Sequence, residues 1–137
     1  MIGIVIVTHS RLGAALIETA EFIIGGKIES TTAVSIDISQ NPDILRNKIA
    51  AAIKEVKSDR GVLVLTDMFG GTPSNLSYSF LEEGRIEVIS GVNLPILIKA
   101  VNDRSEKSLP DLATTLESFG KRSISLASGI LKGNKRS

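Results

Sequence analysis

The single histidine of the chain, His9, follows an apolar segment, Ile2 to Thr8, and precedes a helical pattern that begins at Ser10. In a parallel α/β fold the carboxyl end of a strand faces a crevice, and the next helix directs free N–H groups and its positive dipole end into that crevice. A nucleophilic imidazole at such a junction can accept and hold a phosphoryl group. The position predicts phosphoryl chemistry at His9, with a packed or surface histidine as the alternative.

A second apolar segment ends in a polar loop that carries Asp67. If the first and third strands are neighbours at the point where the strand order reverses, Asp67 and His9 face each other across one cleft. A carboxylate that accepts the proton of one ring nitrogen fixes the tautomer and leaves the other nitrogen with an exposed lone pair. We therefore predict that Asp67 orients the ring and stabilises it once it is phosphorylated.

The loop continues into Gly70-Gly71-Thr72-Pro73, which can surround an anion. Adjacent glycines allow positive φ values and close backbone approach, and the Thr72 hydroxyl adds a donor at a helix start. A tight turn before a proline-initiated helix is the alternative. We predict phosphate contacts at Gly70, Gly71, Thr72 and, on the other side of the cleft, Ser10.

Two apolar residues, Met68 and Phe69, separate the aspartate from these glycines. Their side chains could be exposed for a docking partner, and packing into the core is the equal alternative. Asn93, which follows the fourth strand, is predicted to cap a helix that could border the same cleft.

Composition excludes several function classes. Sixteen Lys and Arg against fifteen Asp and Glu leave a formal charge of +1, so we expect no nucleic-acid surface. Without cysteine and with one histidine the chain offers no thiol chemistry and no ordinary zinc site. Because no P-loop, no dinucleotide fingerprint and no membrane-spanning run is present, we predict no metal, no cofactor and no direct membrane insertion.

Alternating patterns predict the architecture. Each of four strand-like segments precedes a segment with helical spacing, which is typical of a parallel sheet with crossover helices. The expected fold is a three-layer α/β/α domain whose mostly parallel sheet has four parallel strands and a C-terminal antiparallel edge strand at Ser123 to Ala127. Ser10 and Thr72 are expected to cap the first and third helices. Residues 1–130 form the domain, and the polar residues 131–137 form a flexible tail.

Three motifs in order, Gly3 to Ser10, Leu65 to Asn75 and Ser90 to Pro95, resemble the enzyme IIA domain of the mannose family of the bacterial sugar phosphotransferase system. The resemblance spans nearly the whole chain. It implies a cytoplasmic phosphocarrier that takes a phosphoryl group from phospho-HPr on His9 and passes it to a histidine of an enzyme IIB component. In this family the phosphate is on Nε2, the carboxylate matched by Asp67 lies on the Nδ1 side, and a hydroxyl at the Thr72 position meets the phosphate.

The resemblance also implies a homodimer that exchanges the C-terminal strand between subunits. We expect no fused IIB domain, so that the acceptor is a separate polypeptide. A regulatory phosphorelay protein, whose phosphorylation state controls a kinase or transcription factor, is an alternative, and a small-molecule-binding domain is a third. The identity of the sugar cannot be read from the chain.

Overall fold

The computed structural model describes residues 1–132 and contains a central sheet between two helical layers. The strands are β1 (Gly3–His9), β2 (Thr31–Ile36), β3 (Val62–Thr66) and β4 (Ile86–Ser90). The helices are α1 (Leu12–Ile24), α2 (Pro42–Val56), α3 (Thr72–Tyr78), α4 (Leu94–Asp103), α5 (Leu109–Arg122) and α6 (Ala127–Leu131). The expected alternation of strands and helices is confirmed.

The strands pair in the order β2-β1-β3-β4, and all three pairings are parallel. Strand order therefore reverses between β1 and β3, as predicted, and a crevice opens at their carboxyl ends. His9 is the last residue of β1, and Val7 is opposite Thr66, the last residue of β3. This register brings the polar loop after β3 next to the end of β1.

Both faces of the two central strands are buried, which explains their continuous apolar runs. The alternate side chains Ile4, Ile6, Leu63 and Leu65 pack in one cluster with residues of α4 and α5. Val5, Val7, Val62 and Val64 pack in a second cluster with residues of α2. The sheet is thus the middle of three layers, as expected.

Of the three predicted caps, the one at Asn93 is confirmed and those at Ser10 and Thr72 are wrong. The side chains of Asn41 and Asn93 accept hydrogen bonds at the starts of α2 and α4. Ser10 does not cap α1, because it adopts a left-handed turn with φ of 51° and the helix begins two residues later. Thr72 does not cap α3, since the N-cap position is Gly71 and Thr72 is the first helical residue.

The predicted fifth strand is absent from the part of the chain that the structure describes. Residues 124–126 have no regular structure, and the short helix α6 begins at Ala127. A strand requires a neighbouring strand for its hydrogen bonds, and within the single chain this segment has none. Leu131 belongs to α6 rather than to a tail. Residues 133–137 of the predicted tail lie outside the described residues.

Candidate active site

His9 and Asp67 are in contact at the junction of β1 and β3. One carboxylate oxygen, Oδ2 of Asp67, lies 2.8 Å from Nδ1 of the His9 ring. The same oxygen accepts the backbone N–H of His9 at 2.9 Å. The two bonds fix the carboxylate relative to both the backbone and the ring of a residue 58 positions away. The predicted proximity of these two residues is confirmed.

The charge of Asp67 determines which ring nitrogen carries the proton. Burial raises the pKa of this carboxyl group, but the backbone and side-chain hydrogen bonds from His9 outweigh burial and leave the pKa below its ordinary value. The group is therefore ionised at neutral pH and can only accept hydrogen bonds. Nδ1 must donate to it, so in the neutral ring Nε2 keeps its lone pair.

The ring is accessible while its partner is not. The side chain of His9 is 41% exposed and that of Asp67 is 11% exposed. The second carboxylate oxygen, Oδ1, is buried and has no hydrogen-bond partner among residues 1–132. A partly exposed imidazole ring is thus held by a largely buried anion, which is the arrangement needed to stabilise a cationic ring.

Gly71 contacts the edge of the ring that carries Nε2. A Cβ atom added at Gly71 would lie 2.9 Å from Cε1 and 3.6 Å from Nε2 of His9, so only glycine leaves the ring its observed place. Gly70 has a φ of 84°, in the left-handed region that glycine adopts without steric cost. The two glycines therefore have distinct roles: Gly70 turns the loop, and Gly71 makes room for the imidazole.

The start of α1 is stabilised by a residue that sequence reasoning missed. The Thr8 hydroxyl, buried at the end of β1, accepts the backbone N–H of Gly13 at 2.9 Å. The N–H of Ser10, which we expected to face an anion, donates instead to the carbonyl of Ile36 at 3.4 Å. In the sequence, the signal for the contact between Thr8 and Gly13 was a threonine next to the histidine at the end of a strand.

Met68 and Phe69 do not pack into the core. Their side chains are 55% and 79% exposed, and the Phe69 ring lies against that of Tyr78 with centroids 6.3 Å apart. Of the two alternatives raised by the sequence, exposure next to the site is the one that the structure supports.

Comparison with known proteins identifies the family. A family model, EIIA-man, described as the PTS system fructose IIA component, matches residues 3–117. The chain belongs to the EIIA-man family. It is therefore a phosphotransferase component, an enzyme IIA of a sugar phosphotransferase system (PTS). The matched residues include the whole crevice between β1 and β3, so the family assignment and the His9–Asp67 pair concern the same part of the molecule.

Relatives of the EIIA-man chain agree with this assignment. A PTS fructose-specific EIIA component of Bacillus subtilis is 33% identical over 133 residues, which are 96% of this chain and 90% of that protein. A mannose-specific EIIAB component of Escherichia coli is 30% identical over 90% of this chain, which spans only 38% of that longer protein. The crystal structure of an EIIA component from Streptococcus agalactiae superposes with a TM-score of 0.80 at 30% identity, covering 93% of this chain and 98% of that one.

Among residues 1–132, none of the helices is both long and apolar enough to cross a membrane.

Proposed function

We propose that this chain accepts a phosphoryl group from phospho-HPr on Nε2 of His9 and passes it to a histidine of an enzyme IIB component, as a cytoplasmic phosphocarrier in phosphoenolpyruvate-dependent sugar uptake. The observation that supports this most directly is the bond between Nδ1 of His9 and the ionised Asp67. This bond leaves Nε2 as the nucleophile on a half-exposed ring. The family assignment supports the role of phosphocarrier, and the geometry supports Nε2 of His9 as the atom that accepts the phosphoryl group.

The transfer step needs only positioning and charge stabilisation. The Nε2 lone pair attacks phosphorus in line, the phosphorus–nitrogen bond of the donor breaks, and its electron pair stays on the donor imidazole. The His9 ring, which keeps its proton on Nδ1, becomes a cation beside the Asp67 carboxylate. Transfer to IIB reverses these roles, because Nε2 is then the leaving group. The reactive bond is already present in the donor, so no metal is required for this scheme.

We assign the phosphate contacts to the predicted residues. Gly70, Gly71 and Thr72 lie three to five residues after Asp67 in the same loop, and Gly71 is adjacent to the ring edge that bears Nε2. On the opposite side, the Ser10 hydroxyl is exposed, whereas its amide already donates to Ile36. We therefore assign the hydroxyl of Ser10, and not its N–H, to the phosphate.

We further propose that Met68 and Phe69 contact HPr and IIB. Both residues are exposed and immediately follow the aspartate that binds the reactive ring. Exposed apolar side chains at this place gain free energy when a partner excludes water around the phosphoryl group.

A homodimer with an exchanged strand remains a prediction for which the surface offers support. In the described part of the chain, β4 has a strand neighbour only on its β3 side. A groove of about 650 Å³ runs beside it, lined in part by Phe69, Tyr78 and Ile124. Ile124 and Leu126 are 83% and 76% exposed in the single chain, so pairing of this segment with β4 of a second copy would bury them.

The regulatory alternative receives no support from the relatives, whose names describe components specific for fructose or mannose. In the small-molecule alternative His9 only contacts an anionic ligand, and stable phosphorylation of His9 would count against it. Which sugar this chain serves is a separate question, since a carrier of this kind touches only donor and acceptor phosphates.

The test is transfer of label from phosphoenolpyruvate through enzyme I and HPr to the purified chain. Because His9 is the only histidine, the wild-type protein should gain one acid-labile phosphoryl group, and addition of a IIB protein should remove it. His9→Ala should gain none. Asp67→Ala should still be labelled, about a hundredfold more slowly, because the ring loses its orientation and its counter-ion.

Far-UV circular dichroism of both variants serves as the folding control. Acid-labile label on folded His9→Ala, or a wild-type protein that phospho-HPr does not label, would refute the proposed function. If no IIB protein removed the label, the proposed transfer to IIB would be contradicted.

A further inference from the structure

A cluster of four hydroxyl groups lies directly beneath the loop that carries Asp67. We call it the hydroxyl cluster: Thr66 at the end of β3, Ser90 at the end of β4, and Ser74 and Tyr78 one turn apart on α3. Thr66 and Ser90 are opposite each other in the register, and Thr66 Oγ1 lies 2.9 Å from Ser90 Oγ. Ser74 Oγ lies 2.5 Å from Thr66 Oγ1 and 3.0 Å from Ser90 Oγ. The Tyr78 hydroxyl lies 2.8 Å from Ser90 Oγ.

The cluster is hydrogen-bonded to the loop through the carbonyl oxygen of Met68. Ser74 Oγ lies 2.5 Å from this oxygen. A carbonyl can only accept, so the one proton of Ser74 goes to Met68. Thr66 donates its own proton to Ser90 Oγ, and Ser74 Oγ accepts the proton of Ser90. Ser74 and Thr66 are both fully buried, where such bonds are strong and a missing partner is costly.

Asp67 lies between the two residues that the cluster holds. Thr66 precedes it and Met68 follows it, and Ser74 contacts both. The backbone position from which the carboxylate reaches His9 is thus held on both sides. Gly71, which lies against the His9 ring, is three residues beyond Met68 in the same loop.

We propose that Ser74 is a positioning residue for phosphoryl transfer at His9, acting through Met68 and Asp67, with Ser90 and Tyr78 holding Ser74 in place. This inference rests on the proposed function for its kinetic consequence, but its structural consequence can be measured without any donor. When Ser74 loses its hydroxyl, the Met68 carbonyl loses its donor and the loop relaxes. Nδ1 of His9 then loses its fixed acceptor, and the neutral ring becomes a mixture of tautomers.

The chain offers a matched control on the same helix. Ser77 is also fully buried on α3, but its hydroxyl donates to the Pro73 carbonyl at 2.6 Å, within the helix, and not to the loop. Ser74→Ala and Ser77→Ala each delete one buried hydroxyl that serves a backbone carbonyl. Any loss of folding stability that comes from deleting a buried hydroxyl is therefore common to both variants.

The first measurement is the ¹⁵N chemical shift of both ring nitrogens of His9 in the intact protein, at a pH where the ring is neutral. The wild type and Ser77→Ala should show Nδ1 protonated and Nε2 unprotonated. Ser74→Ala should show shifts averaged toward the other tautomer. The second measurement is the rate of labelling by phospho-HPr, which should fall tenfold or more in Ser74→Ala and about twofold or less in Ser77→Ala, since sub-ångström displacements of reacting groups reduce transfer strongly.

Ser90 provides a rescue pair. Ser90→Ala should reproduce the effect of Ser74→Ala in part, and Ser90→Thr should restore the wild-type shifts, because threonine keeps the hydroxyl and suits a half-buried strand position. Equal tautomer states in Ser74→Ala and Ser77→Ala would overturn the inference, as would slow transfer in Ser74→Ala with an unchanged tautomer. If phospho-HPr labels none of the proteins, the proposed function fails, and the ¹⁵N shifts still decide the role of Ser74.

Discussion

At the residue scale, three constraints position the imidazole ring of His9, whose Nε2 is the proposed nucleophile. Asp67 determines the tautomer of His9, and burial of its carboxylate makes that interaction strong. The backbone bond from His9 to the same oxygen aligns the ring with the end of β1. Gly71 leaves space for the ring edge that carries Nε2. Each constraint acts on the imidazole, so each can be perturbed at a residue other than His9 itself.

Substitution of Gly71 tests the third constraint. In Gly71→Ala the new Cβ would approach within 2.9 Å of His9 Cε1 and 3.3 Å of Met68 Cγ, so the ring must move away from the loop. We expect labelling by phospho-HPr to slow about tenfold, since the displaced Nε2 no longer meets the donor in line. The measurement is a rapid-quench time course.

Gly26→Ala is the control for that experiment, because a Cβ there would meet nothing within 4 Å. It should label at the wild-type rate. If Gly71→Ala were labelled at the same rate as Gly26→Ala, the absence of a side chain at residue 71 would not be needed to position the ring.

At the scale of elements, a buried guanidinium connects α4 to the edge of the sheet. Arg104, only 4% exposed, follows the last residue of α4 and donates to the carbonyls of Ile2, Glu29 and Ser30 and to the Thr31 hydroxyl. These acceptors precede or begin β1 and β2, so one side chain joins three elements at the end of the sheet opposite the site. The planar fork of arginine can reach several acceptors at once, which lysine cannot.

We predict that Arg104→Met lowers the free energy of unfolding by about 3 kcal/mol, because buried carbonyls lose a charged donor. Urea denaturation followed by circular dichroism measures the change. Arg85→Met is the matched control: Arg85 is 71% exposed and pairs with Glu82 at 3.7 Å, so its loss should change stability by about 0.5 kcal/mol or less. Equal effects of the two substitutions would show that the Arg104 contacts contribute no more than a surface pair.

At the scale of the whole molecule, the edges of the sheet and the segment after α5 bear on whether two copies of the chain form a dimer. Ile124 is part of the lining of the groove beside β4, and Ile124 and Leu126 are both exposed. Exposed strand edges bordered by apolar side chains are sites of strand pairing between chains. A second copy that supplies residues 123–127 would cover this edge and add the antiparallel strand that the single chain lacks.

We expect the wild-type protein to have twice the 14.6 kDa chain mass in sedimentation equilibrium. The double variant Ile124→Asp, Leu126→Asp should have the mass of one chain, because charges cannot be buried at the paired edge. Phe22→Asp, which replaces an 87% exposed apolar residue of α1, should remain dimeric. A monomeric wild-type protein, or a dimeric double variant, would contradict strand exchange.

The amino-acid sequence by itself determined the local elements and the two loops of the site. Continuous apolar runs predicted buried parallel strands, and Asn93 marked the start of α4 correctly, because these features depend on neighbouring residues. The motifs after β1 and β3 identified His9 and Asp67, since catalytic groups of α/β folds lie at strand ends.

Only the tertiary structure decided how these residues contact one another. Asp67 binds both the amide and the ring of His9, Thr8 rather than Ser10 caps α1, and four hydroxyls from three elements meet under the loop. The segment predicted as a fifth strand has no strand to pair with among residues 1–132. Such contacts depend on strand register and on which loops meet, and these follow from packing between residues far apart in sequence. Local patterns of residues do not contain that information.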